Sequence, residues 1–173
     1  SSILAKMAAN EIQKSDVAKK EYMDLWTRSG VTIASSCLMG PAPFDDAFEI
    51  AVANISHARA YANALPEHFE IVLTSNDIER VYKEGKRGVN LNFQDTTPFG
   101  SNLDRVDYFY NLGLRIVQLT YNLRNLVEDG CTEIYKTGLS YYGKALVERL
   151  NDLGMIVDVS HSSQQVGWDA LET

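Results

Sequence analysis

Ligands in α/β folds meet the carboxyl ends of the strands, so polar side chains ending apolar runs are the first candidates for chemistry. Five such ends occur: Ser36 and Cys37, Thr74 and Ser75, Gln94 and Asp95, Tyr121 and Asn122, and Asp158 with His161. His161 closes the run Met155-Ile-Val-Asp-Val-Ser-His161, which aims its imidazole at the mouth of the fold. An imidazole there is a metal ligand, an acid–base group or a hydrogen-bonded strand end, and the pattern alone leaves all three open. Asp158 falls on the opposite strand face by the two-residue period. It is expected to anchor loops or orient a neighbour rather than share a metal with His161.

The other reactive side chains have plainer readings. Cys37 is expected as a small core residue. His57 lies on the polar side of its helix and His68 precedes a strand at the end remote from the site. Asp45-Asp46 opens a helix, where negative charge suits the dipole. The connection Tyr121–Glu133 carries Arg124, Glu128, Asp129 and Glu133 just beyond a strand end. The whole run to Gly138 exceeds a simple βα loop of about 2 to 6 residues; it is either a working loop or a solvated cover over the mouth.

The elements positioning these residues follow from hydrophobic period and glycine punctuation. Residues 11–28 read as a helix, with Ile12, Val17, Met23, Leu25 and Trp26 among charged neighbours. Val31–Cys37 reads as a buried strand, broken by Gly40-Pro-Ala-Pro43. A long helix follows, its stripe running from Phe44 through Phe48, Val52 and Ile55 to Leu65. Then come a strand over Phe69–Thr74, a short helix capped by Ser75 or Asn76, and a strand over Gly88–Gln94. That strand alternates Asn90, Asn92 and Gln94 against Val89, Leu91 and Phe93. A helix over 102–112, a strand over Leu114–Tyr121, a helix capped by Ser140, a strand over Met155–His161 and a helix from Gln164 complete the pattern.

Strands alternating with helices imply parallel βαβ units with right-handed crossovers. The choice is between a doubly wound sheet and a barrel. No Gly-rich phosphate fingerprint follows any strand. The Asn90, Asn92, Gln94 face suits a barrel lumen better than a sheet covered on both sides. A barrel is therefore the expected class.

Composition bounds the rest. The chain has 173 residues, 45% hydrophobic and 23% charged, with a formal net charge of −7. That balance argues against nucleic acid as a partner. No window approaches the roughly 18 to 20 apolar residues of a membrane span. Two cysteines and three histidines make neither a disulfide scaffold nor a zinc-finger spacing. A reducing, cytoplasmic compartment follows as the default, with the periplasm as the alternative if a leader was removed.

Specific strings now matter. Gly138-Leu-Ser-Tyr-Tyr-Gly143, followed by Val147-Glu-Arg-Leu-Asn-Asp-Leu-Gly-Met-Ile-Val-Asp-Val-Ser-His161, resembles the membrane (renal) dipeptidase family of zinc peptidases. Leu112-Gly-Leu-Arg115 through Leu119-Thr-Tyr-Asn122 is similar to that family's preceding strand, and the Tyr121–Glu133 run to a bacterial branch of it. The resemblance is specific across 112–163, and weaker but collinear from about residue 69.

The resemblance implies an amidohydrolase-like (β/α)8 barrel holding two zinc ions at its mouth. Family members take an H-x-D pair from the first strand, a bridging Glu from the third and one His from each of two later strands; an Asp near the last strand handles protons. His161 matches the first of those histidines and is the one ligand carried over. This sequence holds no H-x-D, and nothing in it matches the second His or the late Asp. Gln94 stands where the bridging Glu belongs, and a neutral amide is a weak bridge that cannot balance two Zn²⁺. Tyr121 replaces a substrate-contacting His. These departures imply a branch with one metal, a different metal arrangement or a different substrate.

The expected protein is a zinc-dependent hydrolase of dipeptides or related small amides, with metal-activated water attacking the carbonyl. Gln94, Tyr121, Asn122 and Arg124 are the near-site and substrate-binding candidates; no catalytic residue is assigned. The alternative is a degenerate barrel that binds an amino-acid derivative or a partner without hydrolysis. A homo-oligomer is compatible with either. A complete barrel takes about 250 residues, and five strands are counted here. Residues 1–173 are therefore expected to be one incomplete barrel domain lacking the first and last strands, inactive in isolation.

Overall fold

The computed structural model describes residues 16–40 and 45–173, with side chains from Met23 onward. Ile12 and Phe44, the side chain of Val17 and the Pro41-Ala-Pro43 break lie outside what is described. Helix α1 covers Asp16–Ser29, strand β1 Ile33–Met39, α2 Ala47–Ala64, β2 Phe69–Ile71, α3 Ser75–Lys83 and β3 Arg87–Phe93. A 3-10 turn at Thr97–Phe99 leads into α4 (Asp104–Asn111) and β4 (Leu114–Gln118). Helix α5 (Tyr141–Asp152), β5 (Ile156–Asp158) and α6 (Gln164–Glu172) follow. The class is α/β with parallel pairing: β2 with β3, β3 with β4, and β4 with β5. Strand β1 also neighbours β3.

The chain divides into two compact units, one of residues up to Ser36 with Asn54–Asn90, the other of Cys37–Ala53 with Leu91–Thr173. In the first, Tyr61, Leu65 and Phe69 form a buried cluster against Met23, Trp26 and Val89. Trp26 and Tyr61 meet the Phe69 ring at centroid distances of 5.1 and 5.4 Å. Strand β2 is shorter than its sequence suggests. Beyond Ile71 the N–H groups of Leu73 and Thr74 donate to the Asp77 carboxylate, at 3.0 and 2.7 Å, instead of to a ladder. Thr74, rather than Ser75 or Asn76, is thus the cap of α3, in a reciprocal box with Asp77. Thr74→Ala should lower stability by about 1 kcal/mol, read as a shift of the urea midpoint at unchanged slope.

In the second unit the core is aromatic. Phe93, Phe99 and Phe109 are fully buried with centroids 4.8 to 5.9 Å apart, and Phe48 adds to Phe109 at 5.4 Å. The alternation read in β3 is present from Leu91 on: Leu91 and Phe93 are buried and Asn92 and Gln94 half-buried, whereas Val89 and Asn90 are both half-buried. Cys37 departs from expectation. Ser36 and Leu38 point inward, so the two-residue period turns Cys37 outward, and the residue is exposed. Its sulfur is tucked against the Met39 carbonyl (3.5 Å) and Gln94 Oε1 (3.8 Å), and that partial burial pushes the thiol up. Among the described residues no helix is long and apolar enough to cross a membrane.

Candidate functional site

Three of the candidate residues meet in the second unit, beyond β4 and β5. Strand β5 ends at Asp158, whose Oδ1 accepts the Ser160 N–H at 2.8 Å and turns the chain. His161 therefore lies not at a strand end but in a turn, with φ of 64°, the left-handed region that L-residues seldom enter. The strand-face parity used for Asp158 and His161 does not apply. The His161 ring stacks on Tyr121, centroids 4.3 Å apart and planes at 23°. Its Nδ1 is 2.9 Å from Asn122 Oδ1. An amide oxygen only accepts, so Nδ1 carries the hydrogen and Nε2 keeps a bare lone pair. That is the nitrogen available to a metal or a proton.

Arg124 and Gln94 are placed elsewhere. Arg124, half exposed, pairs with Asp129 at 2.7 Å. Gln94 meets Cys37, and its N–H donates to the Met39 carbonyl at 2.6 Å. Among the described residues no group of three or more His, Cys, Asp or Glu could hold a metal ion. Of the residues read as near the metal, His161 has one ring nitrogen uncommitted by Asn122, and Gln94 is held against Cys37.

The 122–138 connection is solvated over much of its length, with Leu123, Leu126, Ile134 and Tyr135 exposed, but it is anchored by a buried centre. Val127, Glu128 and Asp129 are fully buried. Asn125, which sequence reading passed over, organises it. Its Nδ2 donates to the Leu119 carbonyl (2.8 Å) and Thr96 Oγ1 (3.0 Å), and its Oδ1 accepts from the N–H groups of Val127 and Glu128. The available signal was an Asn just past a strand end, a residue type that closes turns through its own side chain. Asp129 accepts from the Thr137 N–H and hydroxyl and from the Gly138 N–H at 3.0 Å. Burial by itself would raise the Asp129 carboxyl; those donors and the Arg124 guanidinium outweigh it and hold the group below its ordinary value.

The same loop grips both its neighbours. Ser140 caps α5, accepting from the Gly143 N–H at 2.9 Å and donating to the Leu126 carbonyl at 2.7 Å. A Cβ at Gly143 would overlap the Val127 carbonyl, which explains why the G-L-S-x-x-G string needs both Ser and Gly. On the other side Gly130 bridges to Ser162, and Cys131 N–H donates to the His161 carbonyl at 2.7 Å. The α-carbon of Gly130 packs so closely on the Asn122 carbonyl that an added Cβ would overlap it. Glu128 Oε1 accepts from the Ser162 hydroxyl at 2.8 Å, and Oε2 has no partner. Burial pushes this carboxyl up to about 8 against the opposing Ser162 contact, with the charges of Asp129 and Asp95 adding to the rise.

The motifs seen in sequence are thus one hydrogen-bonded assembly around His161, and comparison with known proteins gives it a lineage. The sequence model of the membrane dipeptidase family, peptidase family M19, matches residues 13–173. The chain belongs to the membrane dipeptidase family. One relative, dipeptidase tcpJ of Claviceps purpurea (strain 20.1), is 31% identical over 108 residues, covering 61% of this chain and 25% of the relative. Among solved structures, an amidohydrolase from Pseudomonas aeruginosa superposes with a TM-score of 0.81 at 27% identity, covering 88% of this chain and 46% of that one. The probable dipeptidase PvdM from Pseudomonas aeruginosa gives a TM-score of 0.80 at 24% identity, covering 87% and 42%. This M19 chain spans less than half the length of each of these relatives. The resemblance read from residues 112–163 holds over nearly the whole sequence.

Proposed function

We propose that this M19 chain is part of a metal-dependent hydrolase acting on dipeptides or related small amides. The observation that carries the reading is His161, whose Nδ1 is committed to Asn122 and whose Nε2 is free. In this proposal Nε2 is one zinc ligand. Bound zinc would polarise the scissile carbonyl and make hydroxide available near neutral pH. Asn122 fixes the tautomer and Tyr121 fixes the plane of the ring. The Tyr121 hydroxyl is a donor for substrate. Arg124 lines a separate groove with Asp129, Lys144 and Asp169, and His161 is not part of its lining.

Further ligands would come from outside residues 1–173, the chain forming one part of a (β/α)8 barrel whose first and last strands lie elsewhere. Ile156, Val159, Trp168 and Leu171, exposed on β5, α6 and between them, are apolar surface that further strands would cover. The free thiols of Cys37 and Cys131 suit a reducing, cytoplasmic setting.

The test uses the full-length protein. Stoichiometric zinc and turnover of a dipeptide panel are expected, and His161→Ala should lower kcat/KM by a factor of about 100 or more while reducing bound metal. Full turnover in His161→Ala would overturn the reading. Intact zinc binding with no amide hydrolysed would favour a barrel that binds without cleaving.

A further inference from the structure

We propose that Glu128 is a positioning residue for His161, acting through the hydroxyl of Ser162. The proposal rests on the reading that His161 works at the site, and it concerns how this chain holds that side chain. Among the described residues His161 is the one non-glycine with positive φ. Such a conformation persists only where the surroundings over-determine it.

The surroundings are three ties from residues 128–131 to residues 161–163. Cys131 N–H donates to the His161 carbonyl at 2.7 Å, and Ser163 N–H donates to the Asp129 carbonyl at 3.1 Å. Ser162 Oγ donates to Glu128 Oε1 at 2.8 Å. The two backbone ties would survive any side chain at 128. The third would not, and it sits on the residue that follows His161 directly.

Glu128 is an odd choice for stability alone. Its side chain is 2% exposed, one carboxyl oxygen has no partner, and two further carboxylates, Asp129 and Asp95, stand near. An apolar residue of similar size would fill the space without the desolvation. What the carboxyl adds over that residue is the bond to Ser162, and through it a fixed backbone at His161. With the turn fixed, the ring reaches both the Tyr121 face and Asn122 Oδ1.

The test is made on the full-length protein with isotope-labelled histidines, His161→Ala assigning the signal. Stacking on Tyr121 should shift the His161 ring protons upfield. Glu128→Leu and Ser162→Ala should each remove that shift, and each should weaken zinc binding about tenfold or more. Glu128→Gln keeps an acceptor for Ser162 and should restore both readouts. Thermal stability of Glu128→Leu should equal or exceed that of the parent, a result that a merely structural role would reverse. A ring signal unmoved in Ser162→Ala overturns the proposal, and that variant decides alone if Glu128→Leu does not fold. The ring shift is read without metal or substrate. A shift that responds as expected in a protein that cleaves no dipeptide would therefore sink the functional reading and leave the positioning intact.

Discussion

Stability should fall as pH rises from about 5 to about 8, and Glu128→Gln should remove most of that fall. The folded carboxyl titrates near 8, the unfolded one near its ordinary 4.5. Between those values the unfolded chain has lost the proton that the folded chain keeps, so each pH unit costs roughly 1.4 kcal/mol. The contribution is fully present below about pH 4.5 and is lost by the time pH passes 8. Over the window that is on the order of 3 to 5 kcal/mol, a large share of the 5 to 15 kcal/mol that typically holds a domain together. The depressed carboxyls of Asp129, Asp107 and Asp77 act oppositely, and only in acid, below their own ordinary values. They leave this window untouched. Urea midpoints measured from about pH 5 to 9 should fall steeply for the parent and more gently for Glu128→Gln, the two meeting at low pH. Parallel curves would show that the carboxyl does not titrate as its burial demands.

Asp129→Ala should be the most damaging single change in the loop. Its carboxylate receives the Thr137 N–H and hydroxyl and the buried Gly138 N–H. Two effects could dominate, the lost ion pair or the stranded donors, and magnitudes separate them. Arg124 is half exposed, so the pair contributes about 1 kcal/mol or less. The Gly138 donor is buried and costs about 1 to 3 kcal/mol when stranded, while water takes up part of the loss at the exposed Thr137, giving a total of about 2 to 4 kcal/mol. Arg124→Ala, by the same reasoning, should be mild. Hydrogen exchange at Thr137 and Gly138 checks the cause: their amides should lose protection in Asp129→Ala and keep it in Arg124→Ala. Equal damage from both variants would show that the ion pair outweighs the stranded donors.

What was legible beforehand divides along a physical line. Hydrophobic period and glycine stops located every described helix and strand, because both report on burial along one chain. Ends were less secure. Ser160 and His161 extend the apolar run of β5 by composition, yet the Asp158 side chain bends the backbone first. Thr74 won the cap over Ser75 because Asp77 stands three residues on and completes the reciprocal pair. Residue type puts Cys37 inside; the structure turns it outward because Ser36 and Leu38 take the inward positions, and a polar Ser36 gives no sign of that in the sequence.

In the site, motif strings marked His161, Tyr121 and Asn122, which the structure joins, and Arg124 and Gln94, which it does not join to them. The burial of Glu128 and Asp129 was hidden, since acidic residues are almost always solvated and their partners here lie up to 34 positions away. Long-range pairing of that kind leaves no local pattern to read.

Gly130 bears on how this sequence can drift. Every codon change that replaces a glycine adds at least one carbon, and here that carbon would land on the carbonyl of Asn122. The side chain of that same residue fixes the His161 tautomer. A substitution at 130, far along the chain from the histidine, would thus disturb the residue that holds the His161 ring. The tolerance of the loop to change is set by a backbone atom, and no compensating side chain elsewhere can move it aside.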